Sequence, residues 1–386
     1  MKAAFYSYLP TGGAIRVAGH QLFHLRDRFR WTAHLPRGGE PPRPDSGVET
    51  RHHPFPQGRR LLGARRLLAP LLLWRKSMAY SRLCARIAGE MEAEGDAVLL
   101  AHTSLIVSSP PLLSAASMPS VYYCHEYPRY IYEKGLHKTG SALTDLLILP
   151  LLRWERRVDR KAARDASVLA TNSRYMAGKL RGIYGREAVP VPPGVDTEMF
   201  TPGNGRGRFV LTVGALSPYK RHGLALEALA LLPPGLRPPM ITVGDRGSGS
   251  YAAELEALAA DRGVELTVMQ SVSDAKLIDL YRTASVVVCP QRLEPYGLVP
   301  LEAMACGTPV VAVDQGGFSE NVPHGTAGYL VEVSAEAMAE RIGALLDSPK
   351  AVESMGSAGR SYVVARRSSR GEADTVAGLM EGAAGG

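Results

Sequence analysis

Short β-rich runs separated by longer stretches of helical periodicity recur along nearly the whole chain, and that alternation admits few folds. In the first half the runs are Ala3–Ser7, Trp31–Leu35, Ala97–Ala101, Val121–Cys124 and Val168–Thr171. In the second they are Phe209–Val213, Met240–Val243, Glu265–Met269, Val286–Cys289 and Val310–Val313, spaced by helical patterns such as His222–Leu232, Tyr251–Arg262 and Ala275–Thr283. Strands that alternate with helices pair in parallel, with the helices covering both faces of the sheet. Two proline-rich stretches, Val189-Pro190-Val191-Pro192-Pro193-Gly194 and Thr201-Pro202-Gly203-Asn204-Gly205, suit neither element and put a boundary near residue 200. The predicted organisation is α/β: a doubly wound, Rossmann-like domain over 1–198, a second over 199–365, and a tail over 366–386 packing back on the first domain. Two such domains place a ligand in the cleft where the carboxyl ends of their sheets face each other, so function is expected in loops that follow strands.

Composition narrows the class. Of 386 residues 45% are apolar and 21% charged, which is globular, and the 40 Gly and 28 Pro are spread out rather than gathered into low-complexity tracts. Cys84, Cys124, Cys289 and Cys306 are too few and too scattered for a disulfide scaffold, so a reducing cytoplasm is expected. The N-terminus reaches Pro10 before a signal-peptide core could form, and the longest apolar runs, Leu67 to Trp74 and Leu146 to Leu152, fall short of the roughly 18 residues of a span. Net charge is +12 over residues 1–200 and −4 over 201–386, which together make the +8 of the chain. No acidic residue separates Glu49 from Glu90, whereas nine basic ones do. Residues 51–86 are therefore expected either to pack leucines inward beneath solvated arginines or to touch an anionic membrane peripherally. With few aromatics to stack bases and no recognised motif, nucleic acid is not an expected partner.

The segment from Cys289 to Glu320 is the most informative about chemistry. A strand ends at Cys289, a loop follows, and a helix is predicted to begin near Gly297. The N–H groups of Gly297, Leu298 and Val299 are then the unpaired donors of a helix N-terminus, where phosphate oxygens bind. Glu294 precedes that helix and Glu302 lies within it, so both can meet one ligand at different depths.

This segment resembles the retaining nucleotide-sugar glycosyltransferases of family 4, of GT-B fold, whose signature is E-x7-E followed by E-A-x-A-x-G-x-P-V-V. Glu294 and Glu302 match that spacing. Asp314-Gln-Gly316-Gly317-Phe-Ser-Glu320 and Gly325-Thr-Ala-Gly328 resemble the turns that follow it in the family. Upstream, Val213-Gly214-Ala215-Leu216-Ser217-Pro218-Tyr219-Lys220-Arg221 resembles the segment in which the family holds the donor diphosphate with an Arg and a Lys. Lys220 matches; Ala215 stands where the Arg would be, which leaves Arg221 or Arg246 as its substitute. The likeness covers most of residues 120–345.

In the first half, Val121-Tyr-Tyr-Cys124-His125-Glu126-Tyr127-Pro128-Arg129-Tyr130 resembles the bacterial mannosyltransferase version of the family's active-site stretch. The resemblance implies that His125 hydrogen bonds the donor sugar, and Arg129 is a candidate for the acceptor or the phosphate. Gly12-Gly13 follows the first strand and suits a backbone that approaches phosphate or acceptor, Gly13 on the donor side and Gly12 on the acceptor side. Ser173 reads as a helix N-cap.

Absences point the same way. The sequence holds no G-x-x-x-x-G-K-[ST], no H-E-x-x-H, no D-x-D and no complete G-x-G-x-x-G, so P-loop, zinc and dehydrogenase chemistry lack support. What the resemblance implies is transfer of a hexose from a nucleoside diphosphate sugar, GDP-mannose favoured, to a saccharide, lipid-linked or small-molecule acceptor, with retention and without cofactor or metal. His125, Glu294 and Lys220 would be catalytic; Gly13, Arg221, Tyr296, Gly297, Leu298, Val299 and Glu302 would bind donor. Two other readings are a non-catalytic, membrane-surface partner subunit of the same fold and a nucleotide-sugar epimerase.

Overall fold

The computed structural model describes residues 1–9, 12–39, 46–55, 69–133, 142–203, 205–244 and 249–385. It resolves into two compact units, Met1–Pro192 together with Glu372–Gly386, and Pro193–Gly371.

Unit one runs β1 (Lys2–Tyr8), α1 (Gly13–Leu25), β2 (Arg30–Pro36), β3 (Glu49–His53), α2 (Ala69–Ala93), β4 (Val98–Ser104), α3 (Leu112–Ala115), β5 (Ser120–Cys124), α4 (Arg129–Tyr132), α5 (Ala142–Asp165), β6 (Val168–Thr171), α6 (Arg174–Tyr184) and β7 (Val189–Pro190). Its seven strands pair in the order β3-β2-β1-β4-β5-β6-β7, all parallel. Phe5 of β1, fully buried, lies opposite Ala33 on one side and Leu100 on the other. The five expected strands are present; β3 and β7 are additions, and both lie at edges. β3 is Glu-Thr-Arg-His-His, whose polar side chains an edge tolerates but an apolar-run reading passes over. β7 ends in Pro190, and an edge strand can forgo one N–H.

Helix α2 buries Tyr80, Leu83, Cys84, Ile87, Ala88 and Met91 at helical spacing and leaves Arg75, Arg82 and Arg86 exposed. Leu71, Leu72 and Leu73 at its start are also exposed. Arg59, Arg60, Arg65 and Arg66 of the same basic stretch lie outside the described residues.

Unit two runs β8 (Val210–Val213), α7 (His222–Ala230), β9 (Met240–Gly244), α8 (Gly249–Arg262), β10 (Leu266–Gln270), α9 (Asp274–Thr283), β11 (Val286–Cys289), α10 (Leu298–Ala305), β12 (Val310–Val313), α11 (Phe318–Asn321), β13 (Gly328–Val331), α12 (Ala335–Leu346) and α13 (Pro349–Arg366). A final helix, α14 (Ser369–Gly385), contributes to unit one from Glu372 onward. The order is β10-β9-β8-β11-β12-β13, again all parallel. Every residue of β11 and β12 is buried, as strands covered on both faces must be. β13 is a strand where only glycine turns were read. A Cβ on Gly328 would stand 2.4 Å from the Val310 carbonyl oxygen, so the residue that looks like a turn former is there for close strand approach.

Both sheets are doubly wound and change direction between their first and fourth strands, β1 and β4 in unit one, β8 and β11 in unit two. Such switch points are where loops part to admit a ligand at the carboxyl ends. All four cysteines are free and buried. No helix among the described residues is long and apolar enough to cross a membrane.

Candidate functional site

At the switch point of unit two, the loops after β8 and β11 meet through Lys220 and Glu294. After β8 the chain passes Gly214 and makes a single tight turn over Pro218–Lys220. Arg221, at φ 53°, then reverses it into α7. The Arg221 N–H closes the turn on the Pro218 carbonyl at 3.1 Å. The Lys220 ammonium donates to Glu294 Oε2 at 2.8 Å, with the two side chains 29% and 22% exposed, so the pair remains reachable from solvent.

Beneath this loop lies a buried residue that no motif announced. His222 sits between Thr212 Oγ1 (Nδ1, 3.0 Å) and the Ala215 carbonyl (Nε2, 3.3 Å). Burial pushes its pKa down to about 4, so the ring is neutral at physiological pH. A neutral ring facing a carbonyl carries its proton on Nε2, which leaves Nδ1 to accept from the threonine. Ala215, where the sequence lacks the expected arginine, thus contributes its backbone to loop anchoring. Gln291 is buried beside it, its Nε2 donating to the Val213 carbonyl at 3.2 Å.

Glycines shape the second loop. A Cβ on Gly316 would come within 2.3 Å of the Glu294 carbonyl oxygen, and one on Gly317 within 2.3 Å of Tyr296 Cα. The Gly317 N–H donates to the Glu294 carbonyl at 2.8 Å, and Asn321 Nδ2 to that of Tyr296 at 2.8 Å. Tyr296 is buried, with its hydroxyl donating to the Pro193 carbonyl at 2.5 Å, so its side chain holds the loop in place. Gly297 then caps α10 at φ 87° over the ring of Phe318. The N–H groups of Gly297, Leu298 and Val299 precede the first intrahelical bonds, and Pro300, next in line, has no N–H to offer. Glu302, one turn further, is buried and accepts from the Tyr281 hydroxyl at 2.7 Å, a partner that sequence reasoning did not supply.

Unit one carries the remaining candidates. Gly12 caps α1 at φ 120° and Gly13 is its first residue. His125 leaves β5 with its backbone clamped: its N–H donates to Thr103 Oγ1 at 2.9 Å and its carbonyl accepts from Asn172 Nδ2 at 2.8 Å. The half-buried ring lies 2.8 Å, Nε2 to Nδ1, from His102. His102 in turn places Nε2 2.9 Å from Gln21 Oε1. Burial lowers the His125 pKa to about 3 and holds His102 well below the ordinary histidine range, the neighbouring imidazole adding to the latter. Arg129, expected at the acceptor or phosphate, has Nε 2.5 Å from Glu126 Oε1 and 3.8 Å from Glu133 Oε1. Ser173 caps α6, accepting from the Met176 N–H at 3.0 Å. Arg246 lies outside the described residues.

Residues 197–362 match the family model described as glycosyl transferases group 1. Unit two is a group 1 glycosyl transferase domain. The chain is 39% identical over 206 residues to the D-inositol 3-phosphate glycosyltransferase of Acidothermus cellulolyticus, covering 47% of this chain and 46% of that one. It is 31% identical over 247 residues to a GDP-mannose-dependent alpha-(1-6)-phosphatidylinositol monomannoside mannosyltransferase of Mycolicibacterium smegmatis, covering 58% and 64%. The chain spans about half the length of the curated relatives it matches. Among solved structures, Anabaena HepE in complex with UDP aligns over 99% of this chain and 100% of its own, with a TM-score of 0.76 and 20% identity. The sucrose-phosphate synthase of Thermosynechococcus elongatus aligns over 98% of each chain, also at 0.76 and 20%. The α/β fold of the chain is that of GT-B structures, as the resemblance implied.

Proposed function

We propose that this group 1 protein is a retaining hexosyltransferase that takes its sugar from a nucleoside diphosphate donor and needs no metal. The observation that carries the reading is the Lys220–Glu294 contact at the switch point, followed directly by the amides of Gly297, Leu298 and Val299. In this reading Lys220 and those amides neutralise the departing diphosphate. Glu294 holds sugar hydroxyls, Glu302 addresses the ribose from its buried position, and His125 serves the donor sugar. Negative charge grows on the diphosphate as the glycosidic bond breaks, so a fixed cation and oriented N–H groups act mainly on the transition state. The relative named as GDP-mannose-dependent supports GDP-mannose as donor, to be transferred to a saccharide, lipid-linked or small-molecule acceptor.

A thermal-shift panel of GDP, UDP, dTDP, ADP and their sugar conjugates, without added metal, tests this reading. A ligand that binds only the folded state raises Tm by mass action. A selective GDP shift supports the donor assignment; a shift with another nucleotide keeps the transferase and discards GDP-mannose. No shift at millimolar ligand rejects the reading in favour of a non-catalytic partner, for which Ala215 in place of arginine is the motive. In the same assay Arg221→Gly should lose at least about 10-fold in donor affinity if Arg221 replaces the missing arginine. Glycine removes the side chain and also relieves the φ 53° strain that arginine already bears, so a fall in affinity does not come from added backbone strain. Unchanged affinity in the glycine variant removes Arg221 from the site.

Peripheral contact with an anionic membrane through residues 51–86, at the cytoplasmic face, belongs to the same proposal. The exposed Leu71, Leu72 and Leu73 beside Arg75, Arg82 and Arg86 on α2 support it. Sedimentation with phosphatidylserine vesicles should fall several-fold between low and high salt. Absence of binding at both salt concentrations rejects the contact.

A further inference from the structure

A file of hydrogen bonds within unit one runs from the last helix to His125. Glu372 Oε1 lies 2.6 Å from Gln21 Nε2, Gln21 Oε1 2.9 Å from His102 Nε2, and His102 Nδ1 2.8 Å from His125 Nε2. Glu372, Gln21 and His102 are all buried. Phe5 and Tyr123 flank the His102 ring at centroid distances of 5.3 and 5.2 Å, which opposes its rotation. We propose that Glu372, Gln21 and His102 hold His125 in the tautomer protonated at Nε2, so that Nδ1 is offered to a ligand hydroxyl as an acceptor.

The assignment follows from donor and acceptor capacity, with Glu372 taken as an ionised carboxylate. A carboxylate only accepts, so Gln21 turns its NH2 to Glu372, 2.6 Å away, and its oxygen to His102. His102 therefore donates from Nε2. A neutral imidazole has one N–H, which leaves His102 Nδ1 bare and able only to accept. The proton between the two rings then belongs to His125 Nε2, and the lone pair of His125 is on Nδ1. These three are positioning residues: none needs to touch ligand for the tautomer to be set. The lowered pKa values of both rings keep the two imidazoles neutral across physiological pH. That the bound hydroxyl belongs to a donor sugar rests on the transferase reading; the tautomer does not.

Two-bond 1H–15N correlation spectra of 15N-histidine-labelled protein without ligand decide the point, with His125 assigned by its loss in His125→Gln. The expected spectrum has His125 Nδ1 bare and Nε2 protonated, and the same for His102. Glu372→Gln, whose amide can present either end to Gln21, should lose this bias, with Nδ1-protonated signals appearing for both rings. The exchanged pair Gln21→Glu with Glu372→Gln should restore the original tautomers. In that pair the new amide at position 372 donates to the new carboxylate at position 21, and that carboxylate accepts from His102. An Nδ1-protonated His125 in the parent protein overturns the proposal, and so does an unaltered tautomer in Glu372→Gln. Should that single variant not fold, the exchanged pair decides: restored signals support the relay and the opposite tautomer overturns it. A failure of the nucleotide panel leaves these spectra unaffected, so the two results are read independently.

Discussion

Replacing Lys220 with alanine is expected to lower kcat by about 10²–10³-fold with the cognate donor, the range found when one oriented electrostatic donor to a developing anion is removed. Two losses coincide in that variant. In the proposed reading the diphosphate loses a side-chain cation, and Glu294 keeps a partly buried carboxylate whose partner, 2.8 Å away in the parent, has gone. Lys220→Arg tests geometry apart from charge: a planar, forked guanidinium does not replace a point ammonium that must bridge a carboxylate and a phosphate, so recovery should be partial. Steady-state kinetics separates the outcomes. A fall in kcat and kcat/KM together marks an interaction made in the transition state, whereas a change confined to KM would show that Lys220 only binds donor. An unchanged kcat would remove it from the catalytic group.

The second large effect is expected at Gly297, where backbone and packing agree. Alanine at φ 87° costs about 1–2 kcal/mol, and its Cβ would stand 2.3 Å from Cε1 of the buried Phe318, an overpacking that adds about 1–3 kcal/mol. Together these should lower Tm by roughly 5–15 °C. Because Gly297 caps α10, relief of the clash must shift the amides proposed to meet the diphosphate, so donor affinity should fall as well. Gly297→Ala with Phe318→Leu should regain part of the stability, since the two sites share one contact and their effects do not add. If calorimetry finds Gly297→Ala within about 1 °C of the parent, the close approach to Phe318 is not a constraint on the folded state.

The E-x7-E segment was legible because its elements are contiguous: a buried valine strand, a loop, a glycine cap and a helix follow one another between Val286 and Ala305. The Gly316–Gly317 pair was visible as a motif, but its purpose, to let the chain pass within van der Waals distance of residues 294–296, shows only in the folded chain. Residues whose role depends on side-chain pairing are not legible in the same way. Arg129 reads as a candidate for the acceptor or the phosphate, and in the folded chain Glu126 and Glu133, three and four residues away, lie against it. Tyr296, expected at the donor, has its hydroxyl on the Pro193 carbonyl, a contact its neighbours in the chain do not announce. His222, Tyr281 and Gln21 carried no signal, because a buried polar residue is recognised by what it pairs with, not by its neighbours in the chain.

By itself the sequence determined the α/β class, the parallel strands, and the identity of the loop that carries Glu294 and the amides after it. All of these follow from patterns only a few residues long, since hydrophobic periodicity and turn chemistry are local. Tertiary structure alone decided which loops meet. Strand order sets β8 beside β11, and that brings Lys220 to Glu294 across 74 positions. The last helix brings Glu372 to Gln21 across 351, and no local pattern encodes which buried acceptor a glutamine will find once the sheets have wound.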